Sequence, residues 1–133
     1  MTHQMTGTFE VKLAKQESEA ASLGLGRMTI DKQFYGELDA VSHGQMLAAG
    51  TATKGSAGYV AIEIVDGTLA GLKGTFVLQH SGTVSRGVPI LSVTVVPDAG
   101  TGELVGLSGK MGIRIEPGGK HFYDFTYEIV EEK

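Results

Sequence analysis

The sequence predicts one all-β domain spanning residues 1–133, an eight-stranded closed antiparallel barrel, and three observations predict it. Apolar and polar residues alternate with period two along most of the chain, turn-forming residues separate the alternating runs, and glycine is frequent throughout. Glycine fills 20 of 133 positions, twice the roughly 7% of average proteins, with no collagen-like period. At that density between β-branched runs it marks tight turns, bulges and barrel corners.

The runs follow in order. Phe9, Val11 and Leu13 alternate with Thr8, Glu10 and Lys12. The stretch from Lys15 to Leu23 is long enough for about two helical turns, and a loop or one short helical turn is expected there. Met28, Ile30 and Phe34 then share a face opposite Arg27, Thr29, Asp31 and Gln33, and a less regular segment runs from Glu37 to Thr53. Val60, Ile62 and Ile64 are expected to face inward, with Ala61 and Glu63 outward. Phe76 and Leu78 lead to His80; Leu91, Val93 and Val95 form the next stripe. Met111, Ile113 and Ile115 precede the last one, Tyr123, Phe125, Tyr127 and Ile129. Asp66-Gly67 and Pro117-Gly118-Gly119-Lys120 read as hairpin turns, and Pro97 to Gly102 ends a strand. Eight such strands build either a barrel or a sandwich. Closure is preferred because it removes unpaired edges, and the sandwich is the alternative.

A glycine pattern repeats. Gly67-Thr68-Leu69-Ala70-Gly71-Leu72-Lys73-Gly74-Thr75-Phe76 returns as Gly102-Glu103-Leu104-Val105-Gly106-Leu107-Ser108-Gly109-Lys110-Met111, with a decayed copy beginning at Gly36-Glu37-Leu38. Each copy is expected to be a strand end, a corner and the next strand. No Lys-Ser or Lys-Thr follows with phosphate-loop spacing.

Composition narrows the function classes. Eleven Lys and Arg stand against 15 Asp and Glu, giving a net charge of −4, and no basic stripe interrupts that balance, which disfavours nucleic acid. There is no Cys, hence no disulfide, thiol nucleophile or Cys-ligated zinc. No apolar run reaches the ~20 residues of a membrane helix, and cytoplasmic residence is the default expectation.

The run Phe76-Val77-Leu78-Gln79-His80-Ser81-Gly82-Thr83, then Val95-Val96-Pro97, Gly100-Thr101-Gly102-Glu103-Leu104 and Gly106-Leu107-Ser108-Gly109, resembles a bacterial family catalogued as domain of unknown function 3224. The similarity spans nearly the whole chain. That family is similar in turn to the allene-oxide-cyclase-like barrels, which include the plant dirigent proteins. The resemblance implies an eight-stranded barrel, a homo-oligomer, and a hydrophobic molecule held in the lumen without a cofactor. No catalytic residue of those relatives is carried over, since a fold does not confer its chemistry.

Parity turns Phe9, Phe34, Phe76, Tyr123, Phe125 and Tyr127 inward, together with Met28, Met46 and Met111. Plain core filling accounts for most of them. The functional reading is a lumen that binds a small, largely apolar molecule between Phe34, Met46, Phe76, His80, Tyr123 and Tyr127. His80 is the most informative of these: an inward imidazole needs a partner, either a backbone carbonyl or a tyrosine hydroxyl, with Tyr123 and Tyr127 the candidates. His80 then serves as a hydrogen-bond anchor or, in a cofactor-free isomerase or cyclase, handles a proton. A filled barrel acting as a structural module is the third reading. Glu63 is expected on the outside, since a lumenal carboxylate there would need a bulge. His43, His80 and His121 lack close ligand spacing, so no metal is expected. No nucleophile elbow occurs either.

Overall fold

The structure, a computed structural model, describes residues 2–17 and 24–130. Eight strands follow one another: β1 (His3–Gln16), β2 (Leu25–Tyr35), β3 (Leu38–Gly50), β4 (Ala57–Leu69), β5 (Leu72–Ser85), β6 (Val88–Val95), β7 (Leu107–Ile115) and β8 (His121–Ile129). Each is antiparallel to its neighbour in sequence, and β1 also pairs with β8, joining His3 to Tyr127 and Phe9 to His121. The sheet is therefore a closed barrel, which excludes the sandwich. One short 3-10 turn, Gly102–Leu104, is the helical structure among the described residues. It does not fall in the stretch from Lys15 to Leu23: β1 runs on to Gln16, and residues 18–23 lie outside the described ones.

Seven of the seams between strands carry an extended register. The eighth, between β6 and β7, is held by the single pair Thr94 with Lys110. Turn chemistry explains most corners. Ala70 and Gly71, and likewise Arg86 and Gly87, adopt positive φ in two-residue hairpins. Gly118 and Gly119 do so in the turn closed by the Glu116 N–H on the Lys120 carbonyl at 2.9 Å. Asp66-Gly67 is not a turn; it lies inside β4. Gly67 is required there by close approach, because a Cβ would stand 2.3 Å from the Asp39 carbonyl oxygen.

The two best copies of the glycine repeat pack on each other and seal one end. The Thr101 N–H donates to the Thr75 carbonyl at 2.8 Å, while the Thr75 N–H donates to Thr101 Oγ1 at 3.0 Å. The Lys73 N–H donates to Glu103 Oε1 at 3.1 Å. This brings Leu104 into the core beside Leu38, Leu69, Phe34 and Tyr123, all shut off from solvent. Aromatic contacts fill the space between: Phe34 meets Tyr123 edge-on at 5.7 Å, and Phe125 stacks on Phe76 and Tyr127 at 6.0 and 5.1 Å.

Alternation places the apolar stripes inward as expected on β1, β2, β5, β6, β7 and β8, and the less regular β3 buries Leu38, Ala40 and Ser42; β4 is the exception. Ala61, Glu63 and Val65 are buried there, whereas Val60, Ile62 and Ile64 face out. No bulge is involved, since the register of β4 with β3 and β5 is unbroken from Ala57 to Leu69. The outward stripe ends in Asp66 and Thr68, and the stripe that carries Val65 and Leu69 into the sealed core sets the phase.

Candidate functional site

The buried polar residues among those described are Lys32, Ser42, Glu63 and His80, and all four meet. They come from four consecutive strands, β2 to β5, at inward positions near mid-barrel. Glu63 is the hub. Its Oε1 accepts the Ser42 hydroxyl at 2.7 Å, and its Oε2 accepts Lys32 Nζ at 2.9 Å and a short bond from His80 Nε2. The ammonium of Lys32 also lies over the rings of Phe9, at 5.0 Å, and Phe34, at 5.7 Å.

The backbone makes room for this cluster at Gly44, which pairs with Ile30 on one side and Glu63 on the other. A Cβ at Gly44 would stand 2.2 Å from the Ile62 carbonyl oxygen and 2.7 Å from Glu63 Cα. No side chain fits at that point of the inner wall.

Burial alone would raise the Glu63 carboxyl. The His80 hydrogen bond and the charge and hydrogen bond of Lys32 overcome it, bringing the pKa from 4.5 down to about 2. Glu63 is therefore a carboxylate at neutral pH. Half-buried Tyr59, on the same inward stripe of β4, feels that charge: burial and then Glu63 raise its phenol.

The cluster divides the lumen. Towards the sealed end lie the aromatic rings. Towards the other end the inward stripes run on through Val11 and Leu13, Met28, Met46, Tyr59 and Leu91. There the stripes lose their cover: Leu13 is 50%, Leu91 40% and Ile115 66% exposed.

The six sequence-derived ligand residues fall on both sides of this divide. Phe34, Phe76, Tyr123 and Tyr127 are buried in the sealed half as core. Met46 is half-buried in the open half, and His80 belongs to the charged centre. The partner of His80 is the Glu63 carboxylate, neither a backbone carbonyl nor a tyrosine hydroxyl. The Tyr123 hydroxyl instead donates to the Tyr35 carbonyl at 2.9 Å, and Tyr127 stacks on His3 and Phe125. Glu63 itself corrects the expectation of an outward carboxylate. His43 points outward and pairs with Asp31 at 2.5 Å, while His121 packs against Phe9. Among the described residues, no three His, Asp or Glu side chains gather as a metal site needs.

Lys32, Ser42 and Tyr59 were missed from the sequence. Lys32 carried a signal, since it shares parity with Ile30 and Phe34; an inward lysine demands a carboxylate, and Glu63 stands alone in an apolar run. Ser42 carried none.

The profile of one protein family, described as "Protein of unknown function (DUF3224)", matches residues 5–127. A crystal structure of a protein of unknown function from that family, from Shewanella oneidensis MR-1, superimposes with a TM-score of 0.92 at 51% identity. The match covers 98% of this chain and 100% of that one. No curated protein matches the chain. Among the described residues, no helix is long and apolar enough to cross a membrane.

Proposed function

The chain belongs to the family described as proteins of unknown function (DUF3224), and we propose that its barrel binds a small, largely apolar molecule in the open half of the lumen. The guest's single polar group, a carbonyl, hydroxyl or carboxylate, is held by Lys32 and His80. One observation carries this reading: the buried Lys32, Ser42, Glu63 and His80 form one cluster, beyond which the apolar inward stripes run on to exposed Leu13, Leu91 and Ile115. Burying two opposite charges costs several kcal/mol of desolvation, and an apolar trio of like volume commonly stabilises a fold as well or better. A charged centre in such a place points to use. Glu63 does not exhaust its partners, because Lys32 has three N–H donors and His80 a second ring nitrogen.

The Glu63–His80 pair favours a second reading, cofactor-free proton transfer on the guest. A carboxylate fixed on Nε2 orients the imidazole and leaves its other nitrogen to exchange a proton with the guest. Replacing His80 with Gln separates the two readings, since a binder loses affinity whereas an enzyme loses turnover.

Two measurements test the binding site. Native mass spectrometry of the purified protein should show a co-purifying small molecule. Titration with anilinonaphthalene sulfonate, apolar rings bearing one anionic group, should give one saturable site. Leu91→Arg at the exposed rim should weaken that site at least about tenfold. Polypeptide mass alone together with no saturable binding, or equal binding by Leu91→Arg, removes the proposed site.

A further inference from the structure

We propose that the outer face of β3 and β4 docks a second copy of this chain about a two-fold axis, with Arg27 of each protomer against the partner's Asp31. The resemblance in sequence implied an oligomer; the surface assigns a face and a geometry.

The observation is the reversed phase of β4. Its aliphatic stripe points away from the core, leaving Val60 54%, Ile62 48% and Ile64 55% exposed, with Leu47 of β3 at 42%. These side chains adjoin three depressions of about 590, 480 and 410 Å³ on the barrel wall. A contiguous apolar patch of this kind on a soluble protein marks a contact surface. The barrel has no free sheet edge along these strands, so association there goes through faces rather than through added strands.

Register arranges the patch in three rows across β2, β3, β4 and β5. Arg27, Leu47, Val60 and Ser81 form the first. Thr29, Gln45, Ile62 and Gln79 form the second, and Asp31, His43, Ile64 and Val77 the third. An axis lying along the middle row in the plane of contact exchanges the outer two. Ile62 then meets the partner's Ile62, Val60 meets the partner's Ile64, and Arg27 meets the partner's Asp31.

Two opposite charges placed symmetrically about a row centred on Ile62 are what a self-complementary contact needs. A foreign partner imposes no such symmetry. Both charges are already held in place. Arg27 donates to Gln45 Oε1 at 3.1 Å and to the Glu17 carbonyl at 3.2 Å, and Asp31 is fixed by His43.

Sedimentation equilibrium at micromolar chain concentration tests this, with circular dichroism as the check on folding. The wild-type chain should be a dimer, and Ile62→Lys, on an exposed position, a folded monomer. Arg27→Asp and Asp31→Arg should each weaken the dimer at least about tenfold, while the chain carrying both changes regains it, because the swapped charges meet again across the axis. A monomeric wild type, a dimeric Ile62→Lys, or a double variant no tighter than the singles overturns the proposal. None of these outcomes depends on whether the lumen holds a guest.

Discussion

The two ends of the barrel are built from the same kinds of side chain and treat them oppositely. At one end Leu38, Leu69, Phe34 and Tyr123 are fully enclosed, and the segment after β6 lies across them and adds Leu104. At the other, Leu13, Leu91 and Ile115 extend the same inward stripes and stay 40–66% exposed. Hydrophobicity does not distinguish these ends. Among the described residues, what distinguishes them is a stretch of chain folded back as a plug, fixed to β5 by five hydrogen bonds. Packing energy is thus concentrated in one half, and the charged centre lies where the packed half stops.

The contrast can be broken or sharpened by measurement. The largest effect is expected in the plugged half, where Phe34→Ala removes a fully buried ring and should cost about 3–5 kcal/mol in a denaturant titration. A cost below about 1 kcal/mol would mean that this half is not the stabilising core. An intermediate effect is expected at the divide. Glu63 has its pKa depressed from 4.5 to about 2 in the folded state, so its contribution is fully present above about pH 4.5. It is lost as the pH falls from there towards 2, and the loss amounts to about 3 kcal/mol. Stability measured across that window should fall in the wild type and fall less in Glu63→Gln; parallel curves would show that Glu63 is not the titrating group. The smallest effect belongs to the open end, where Leu13→Ala should change stability by no more than about 0.5 kcal/mol. A core-sized loss there would show that the end is closed.

Much of this architecture is legible in the sequence, because alternation and turn chemistry are local signals. The strands around Phe9, Phe76, Val93, Met111 and Phe125 announce their inward faces, and the glycine repeat announces its corners. Strand β4 resists the same treatment. Val60, Ile62 and Ile64 outweigh Ala61 and Val65 in any local count, and a carboxylate counts against an inward face. The core takes Val65 and Leu69, and the inward Glu63 this entails is compensated by residues elsewhere in the chain, with Lys32 31, Ser42 21 and His80 17 positions away. Compensation across four strands is invisible to a period-two rule. His80 was legible as inward, but its partner was not, because that partner lay on the one strand read out of phase. Asp66-Gly67 failed as a turn for a related reason: tight packing against β3 calls for glycine as surely as a bend does.

The wall of the barrel is uneven around its circumference as well as along its axis. Strands β6 and β7 share one register pair, whereas β5 and β6 share eight and β7 and β8 nine. Parting the staves along that line sacrifices the fewest backbone hydrogen bonds. Local opening of the wall therefore costs least along this seam.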